Sequence, residues 1–200
     1  MDDKIIAGLQ SASSVKKFPD GTAYTSIALK DIGKLSKTFK ISGREIEISA
    51  LEEKIIPERY VRNMKKFSTE EQATLLGSRV SVVGLGGLGG TVTEILARAG
   101  IGILNLIDGD RFEENNLNRQ LLSTPKLLLK SKAQAAIDRI HEINSSIVVN
   151  KHHEYLDGEN AIGLLEKSNV IVDCLDNVKT RFVLEGASKK IQCPMVSAAV

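Results

Sequence analysis

Gly84-Leu85-Gly86-Gly87-Leu88-Gly89-Gly90 places five glycines in seven positions, between the apolar run Val80 to Val83 and a helical pattern from Leu88 to Ala99. Gly84, Gly86 and Gly89 have G-x-G-x-x-G spacing. Between a strand and a helix this spacing lets backbone amides and the helix N-terminus approach a phosphate. A glycine at a helical position costs up to about 1 kcal/mol relative to alanine, so five together need a reason. Nucleotide binding supplies one; tight packing of helix on strand is the alternative.

Asp108 closes the next apolar run, 24 positions after Gly84. A dinucleotide fold places there the carboxylate that accepts from a ribose hydroxyl. To this point NAD and ATP fit equally. Asp108-Gly109-Asp110 is followed by Asn116-Leu117-Asn118-Arg119-Gln120, amides and a guanidinium just beyond the second strand and over the phosphate site. ATP carries about four negative charges against about two for the phosphates of NAD, so Arg119, Lys132 and a divalent ion match ATP better. Asp173-Cys174-Leu175-Asp176-Asn177 ends the fourth strand, at the switch point beside the first. Asp176 there is placed to hold Mg²⁺ through water, to cap the helix from Val178, or both.

Positioning these residues requires alternating strands and helices. Apolar strands are expected at Val80 to Val83, Ile103 to Ile107, Ile147 to Lys151, Val170 to Val172 and Met195 to Val200. Helices are expected at Leu88 to Ala99, Ser131 to Ile143, Glu159 to Glu166 and Val178 to Ile191. This pattern predicts an α/β, doubly wound, mostly parallel sheet ordered 3-2-1-4-5, with ligand at the carboxyl ends of the strands. The last strand has no covering helix after it, so the domain is expected to be incomplete at its carboxyl end.

Ahead of this domain the chain is mixed and Lys-rich, with 13 Lys and Arg against 9 Asp and Glu through residue 66. Residues 1–56 are expected to form a small extension, and 57–200 the nucleotide-binding domain. Thr38 to Ile41, a Ser42-Gly43 turn and Ile46 to Ser49 alternate as a hairpin would. Ser68-Thr69-Glu70-Glu71 is a capping box opening a helix that Gly77 ends.

A formal net charge of +2 argues against a nucleic-acid surface. No segment has the length and apolarity of a membrane span or signal peptide. Cys174 and Cys193, 19 residues apart, make neither a disulfide framework nor a zinc pair, so reduced thiols and a cytoplasmic setting are expected. His152 and His153 adjoin in a strand and would point to opposite faces, where one metal cannot use both.

The Gly84 loop, the Asp108 strand end, Asn116 to Gln120 and Asp173 to Asn177 together resemble the ThiF/MoeB/HesA superfamily, relatives of the ubiquitin-activating enzymes. Arg59-Tyr60-Val61-Arg62 looks like that family's amino-terminal Arg-Tyr-x-Arg-Gln, with Asn63 in place of Gln. The resemblance runs from about Pro57 to Val200. It implies an adenylyltransferase that joins ATP to the C-terminal glycine carboxylate of a small ubiquitin-like sulfur-carrier protein ending in Gly-Gly, releasing pyrophosphate. It further implies that Gly84, Gly86, Gly87, Gly89, Asp110 and Asn116 sit about the nucleotide and that Asp108 binds ribose. Arg119 and Lys132 would hold phosphates, Asp176 would handle Mg²⁺, and Arg62 would reach the ATP of a partner in a homodimer. The alternatives are an NAD-dependent oxidoreductase and a non-catalytic nucleotide-binding scaffold.

Overall fold

The computed structural model describes residues 2–197, and the chain divides after Gly77 into two compact units. The amino-terminal unit runs α1 (Asp3–Ala12), β1 (Ser13–Lys17), β2 (Ala23–Ile27), α2 (Leu29–Phe39), α3 (Gly43–Glu52), β3 (Ile55–Pro57) and α4 (Thr69–Gly77). β1 and β2 form an antiparallel hairpin, and β3 lies parallel to β2 on its other side. Leu9, Ile27, Ile32, Ile46, Ala50 and Ile55 form its core.

The extension therefore contains a hairpin, but not at 38–49. That segment is the end of α2, a tight turn and α3. Ser42 Oγ accepts from the Glu45 amide at 3.2 Å, while the Glu45 carboxylate accepts from the Ser42 amide at 2.8 Å. This reciprocal cap satisfies two amides that a strand would have paired elsewhere. Lys40 takes the left-handed conformation that ends α2. Ile46 and Ala50, four residues apart, share the buried face, so the apparent alternation around Glu47 was a fragment of helical periodicity. The boundary expected at 56/57 also moves. Leu51, Tyr60 and Leu76 pack in one cluster, so the chain through Gly77 stays with the amino-terminal unit. The capping box before α4 forms as expected, with Ser68 and Glu71 exchanging hydrogen bonds.

The carboxyl-terminal unit comprises β4 (Arg79–Val83), α5 (Gly87–Ala99), β5 (Ile103–Ile107), α6 (Lys132–Ile143), β6 (Val148–His152), α7 (Ala161–Leu165), β7 (Val170–Asp173), α8 (Val178–Lys190) and β8 (Met195–Ser197). All pairings are parallel and the order is β6-β5-β4-β7-β8, the expected 3-2-1-4-5. The remainder of the last predicted strand, 198–200, lies outside the described residues.

Val80, Val82, Leu104 and Leu106 are buried on one side of the sheet. Val83, Ile107 and Ile171 bury the other with Leu165 and Leu184. Further down that second side the surface turns polar. Asn150 donates to Asn105 at 2.7 Å, and Asn105 donates to Ser81 Oγ at 3.1 Å, at one register across three strands. Gly100 ends α5 in the left-handed region, and Ser131 caps α6 through the Gln134 amide.

Glu47 is fully buried in α3, where Tyr60 Oη donates to it at 3.2 Å and Arg59 Nε lies 3.5 Å away. Removing the acid would take a buried charged acceptor away from both groups. Glu47→Ala should cost the amino-terminal unit about 3 kcal/mol, read as a lowered denaturant midpoint. Tyr60→Phe should cost only about 1 kcal/mol.

Candidate functional site

Strand β4 delivers the chain to Gly84, whose φ of +89° and closeness to the backbone of Cys174 exclude a side chain. A Cβ there would lie 2.8 Å from the Cys174 carbonyl oxygen. Gly86 then caps α5 and Gly87 begins it. Gly89 is the tightest position: a Cβ would fall 1.8 Å from the Gly84 carbonyl oxygen. That contact presses the first turn of α5 against the loop and aims its free amides outward.

The loop opens on a cleft of about 850 Å³, lined by Gly84, Gly86 and Gly87 together with Asp108, Asp110, Arg119, Lys132 and Asp176. A smaller depression of about 470 Å³, over Arg79, Asn105 and Asn150, shares no residue with it. Two predicted positions stand apart from the cleft. Gly89 is buried and serves the helix–loop contact rather than the cavity wall. Asn116 is also buried and its Oδ1 accepts from the Glu113 amide at 3.0 Å, capping a short 3-10 turn instead of facing the cavity. Arg62 lies exposed in the amino-terminal unit, at the start of another such turn.

Asp108 is nearly buried. Its Oδ2 accepts from the Leu85 amide at 2.6 Å and its Oδ1 from the Asp110 amide at 2.7 Å. Burial pushes its carboxyl above the ordinary value, against these two hydrogen bonds and the charge of Lys132. Asp110 shifts the other way. Burial raises it, but hydrogen bonds from Tyr155 and Lys132 outweigh that and hold it below the usual range. Lys132 Nζ reaches Asp110 Oδ2 at 2.9 Å from a buried stem at the first turn of α6.

Arg119 is exposed and donates to the Asn115 carbonyl oxygen at 2.6 Å. Asn177, not Asp176, caps α8 by accepting from the Thr180 amide. The Asp176 carboxylate, exposed at the cleft wall, is thereby left to the cavity.

Two further residues of the wall carry chemistry: Gln120, which the sequence pattern places among the amides over the phosphate site, and Arg181, which it does not single out. Gln120 is 7% exposed and forms part of the wall, and its buried Oε1 has no hydrogen-bond partner among the described residues. Arg181 donates to the Leu175 carbonyl oxygen at 2.8 Å and lies 3.7 Å from buried Asp173, bracing the loop from Cys174 to Asn177. Arg181 could not be found from spacing alone, because its place depends on how the loops close.

Among the described residues no three His, Cys, Asp or Glu side chains gather as a metal cage. The donor set fits a cation held mostly by ligand phosphates with one carboxylate, the way Mg²⁺ is usually carried, and not one held by the protein alone. Burial, followed by the nearby charge of Asp173, pushes the Cys174 thiol up to about 11. Cys193 is packed in the core, so neither thiol is activated. His153 Nδ1 lies 3.1 Å from Ser131 Oγ, and His141 is exposed on α6.

Two outcomes follow from this geometry. Gly89→Ala should lower stability by about 2–3 kcal/mol in urea unfolding, whereas Gly163→Ala, with open space around its position, should be neutral or stabilising by about 0.5 kcal/mol. Alkylation of Cys174 at pH 8 should be far slower than that of a free cysteine and should climb as pH approaches about 11.

The family model for the ThiF family matches residues 60–200. An adenylyltransferase and sulfurtransferase MOCS3-2 of Zea mays is 38% identical over 143 residues, covering 70% of this chain and 30% of that protein. The corresponding MOCS3 of Culex quinquefasciatus is also 38% identical, with 33% of its length covered. This chain thus spans about a third of those relatives. Among solved structures, the E. coli tRNA N6-threonylcarbamoyladenosine dehydratase TcdA in complex with ATP has a TM-score of 0.68 at 26% identity, over 70% of this chain and 58% of that one. E. coli MccB with ATP has a TM-score of 0.61 at 28% identity, over 70% and 44%. The glycine loop, the Asp108 strand end and the parallel order around them are those of a Rossmann-like nucleotide fold, and the chain belongs to the ThiF family.

Proposed function

We propose that this chain binds ATP and adenylates a carboxylate, the C-terminal glycine of a small ubiquitin-like sulfur-carrier protein. The observation that carries the reading is the convergence of Arg119, Lys132, Asp108 and Asp176 on the cleft that the glycine loop opens. Relatives named adenylyltransferase and sulfurtransferase, and a neighbour of the same fold holding ATP, support it. The relatives at 38% identity, named for adenylyl and sulfur transfer, favour a sulfur-carrying acceptor over the tRNA named for TcdA, which is 26% identical.

The acceptor carboxylate, with a pKa near 3.5, is already ionised at neutral pH, so no general base is required. One of its oxygens attacks the α-phosphorus, the bond from that phosphorus to the β-bridging oxygen breaks, and pyrophosphate leaves with the electron pair. The obstacle is the approach of two anions, on the order of 4 kcal/mol for a unit-charge pair at about 4 Å and an effective dielectric near 20. The α5 amides beside Gly86 and Gly87 face the phosphates, and Lys132 and Arg119 stabilise the charge that spreads during transfer. Asp108 receives ribose hydroxyls with the lone pairs its two amide bonds leave free. Asp176 would hold Mg²⁺, through water, which when bound supplies charge neutralisation of the phosphates. Arg62 of a second copy completes the cationic set in a homodimer.

Pyrophosphate exchange into ATP, measured on the protein with a Gly-Gly carrier, tests this reading. Arg119→Ala should reduce exchange by well over tenfold at unchanged melting temperature, and Asp176→Ala should abolish the Mg²⁺-dependent exchange. Exchange within about threefold of wild type in Arg119→Ala, about 0.7 kcal/mol, would remove that side chain from the mechanism.

A further inference from the structure

The depression over Arg79, Asn105 and Asn150 lies within the carboxyl-terminal unit and has no part in the mechanism above. It exists because α7 is short. Five helical residues rise about 7.5 Å, whereas the five residues of β5 span about 16 Å. Through Ala161 and Leu165 the helix joins the cluster that holds Val83 and Ile107, the last residues of β4 and β5. A parallel sheet is ordinarily covered by helices on both faces. Here α7 stops short of the strand starts.

The sequence meets that gap with polar side chains. Ser81, Asn105 and Asn150 stand at one register, although asparagine is depleted in strand interiors. Buried Asn105 is fully engaged by Asn150 and Ser81, and Ser81 Oγ pairs with Ser168 Oγ at 2.6 Å. The groups above this floor are not so engaged. Arg79 is half-buried, and its guanidinium makes one long hydrogen bond among the described residues, 3.4 Å to an Asn105 oxygen that Asn150 already holds. The strand start does not need this side chain. The Arg79 amide donates to Asn169 Oδ1 at 2.7 Å, and its carbonyl oxygen accepts from the Asn169 amide at 2.9 Å. A guanidinium held partly out of water without a counter-charge carries a desolvation cost that a bound anion would offset.

Charge and hydrogen-bond capacity define the ligand. Of the other basic groups in the wall, Lys151 donates to Gln134 at 2.9 Å and His152 faces Glu154 at 4.0 Å. That leaves Arg79 and Lys167 against Glu166, a balance that suits a singly charged head better than a phosphate dianion. The guanidinium fork matches the two oxygens of a carboxylate. Asn150 keeps an amide oxygen and one N–H unspent, and Glu166 can accept, so ligand hydroxyls would find partners of both kinds. A cavity of about 470 Å³ is in the range of small-molecule sites.

We infer that this depression is a second binding site, separate from the nucleotide cleft, for a small hydroxylated carboxylate whose carboxylate group pairs with Arg79. Titration of gluconate and of inorganic phosphate into the isotope-labelled chain tests it by amide NMR. The signals to follow are the side-chain amides of Asn105 and Asn150 and the backbone amides of Gly86 and Gly87. Gluconate should shift the asparagine signals saturably, leave the glycines unmoved and bind more tightly there than phosphate. Its affinity should fall about tenfold or more in Arg79→Met and about threefold in Lys167→Ala. Arg79→Met keeps an apolar stem, and circular dichroism melting checks its fold; if it does not fold, Lys167→Ala, at an exposed position, carries the test. Gluconate shifts confined to Gly86 and Gly87, or no saturation at the asparagines, overturn the inference. So does an affinity that survives Arg79→Met, and phosphate bound there in preference to gluconate overturns the carboxylate assignment.

Discussion

The pair of hydrogen bonds that Asp108 accepts, from the Leu85 and Asp110 amides, is the constraint on which the site depends. Through one oxygen the carboxylate ties the glycine loop after β4 to the end of β5; through the other it turns the chain back toward the cleft. Amide bonds to a charged acceptor are worth about 1.5–3 kcal/mol each, and here they work against the burial that raises the carboxyl's pKa. Without this tie the first turn of α5, pressed to the loop by Gly89, would have amides but no fixed direction for them. The same side chain is thus structural in its present bonds, and on the proposed reading it would take ribose with what remains of its capacity.

The cleft is not a bare cluster of cations awaiting an anion. Lys132 is held by Asp110, Arg119 by the Asn115 carbonyl oxygen, and Arg181 by the Leu175 carbonyl oxygen beside Asp173. Each positive group already has a partner, which keeps the buried Lys132 from the cost of an unpaired charge. Binding of a polyphosphate is then an exchange of partners at groups whose positions are already set, the arrangement that limits reorganisation during charge transfer. On the proposed reading Asp108 and Asp110 at the end of β5 would orient sugar and backbone, and Asp176 on the β7 side would face a cation carried by the ligand.

Much of the carboxyl-terminal unit was legible because its signals are local and redundant. Short apolar strands, glycine at 84 and 100, and Ser131 before α6 each mark one element, and parallel crossovers leave few topologies open. The cradle followed from the same signals. What escaped was decided by contacts between distant loops. Asn116 fitted a phosphate site by position, but its amide caps its own turn. Asp176 and Asn177 competed for one cap, and the structure gave it to Asn177. Arg181 and Tyr155 enter the wall only once the loops close. In the amino-terminal unit the error had a plainer source: Ile46-Glu47-Ile48 alternates over too few residues to separate a strand from a helix, and the Ser42–Glu45 capping pair outweighed it. The buried Glu47, anchored to Arg59 and Tyr60, then carried the boundary beyond residue 56.

Family membership narrows the chemistry without fixing the acceptor, since relatives share the nucleotide fold and differ in what they present to it. The central claim is that this cleft holds a nucleoside triphosphate by its phosphates. Competitive equilibrium titration of ATP and NAD against one preparation in the presence of Mg²⁺ tests it most directly. The account predicts saturable ATP binding that NAD displaces poorly and that Lys132→Ala weakens by at least tenfold. NAD binding as tightly as ATP, or ATP binding indifferent to Lys132, would contradict it.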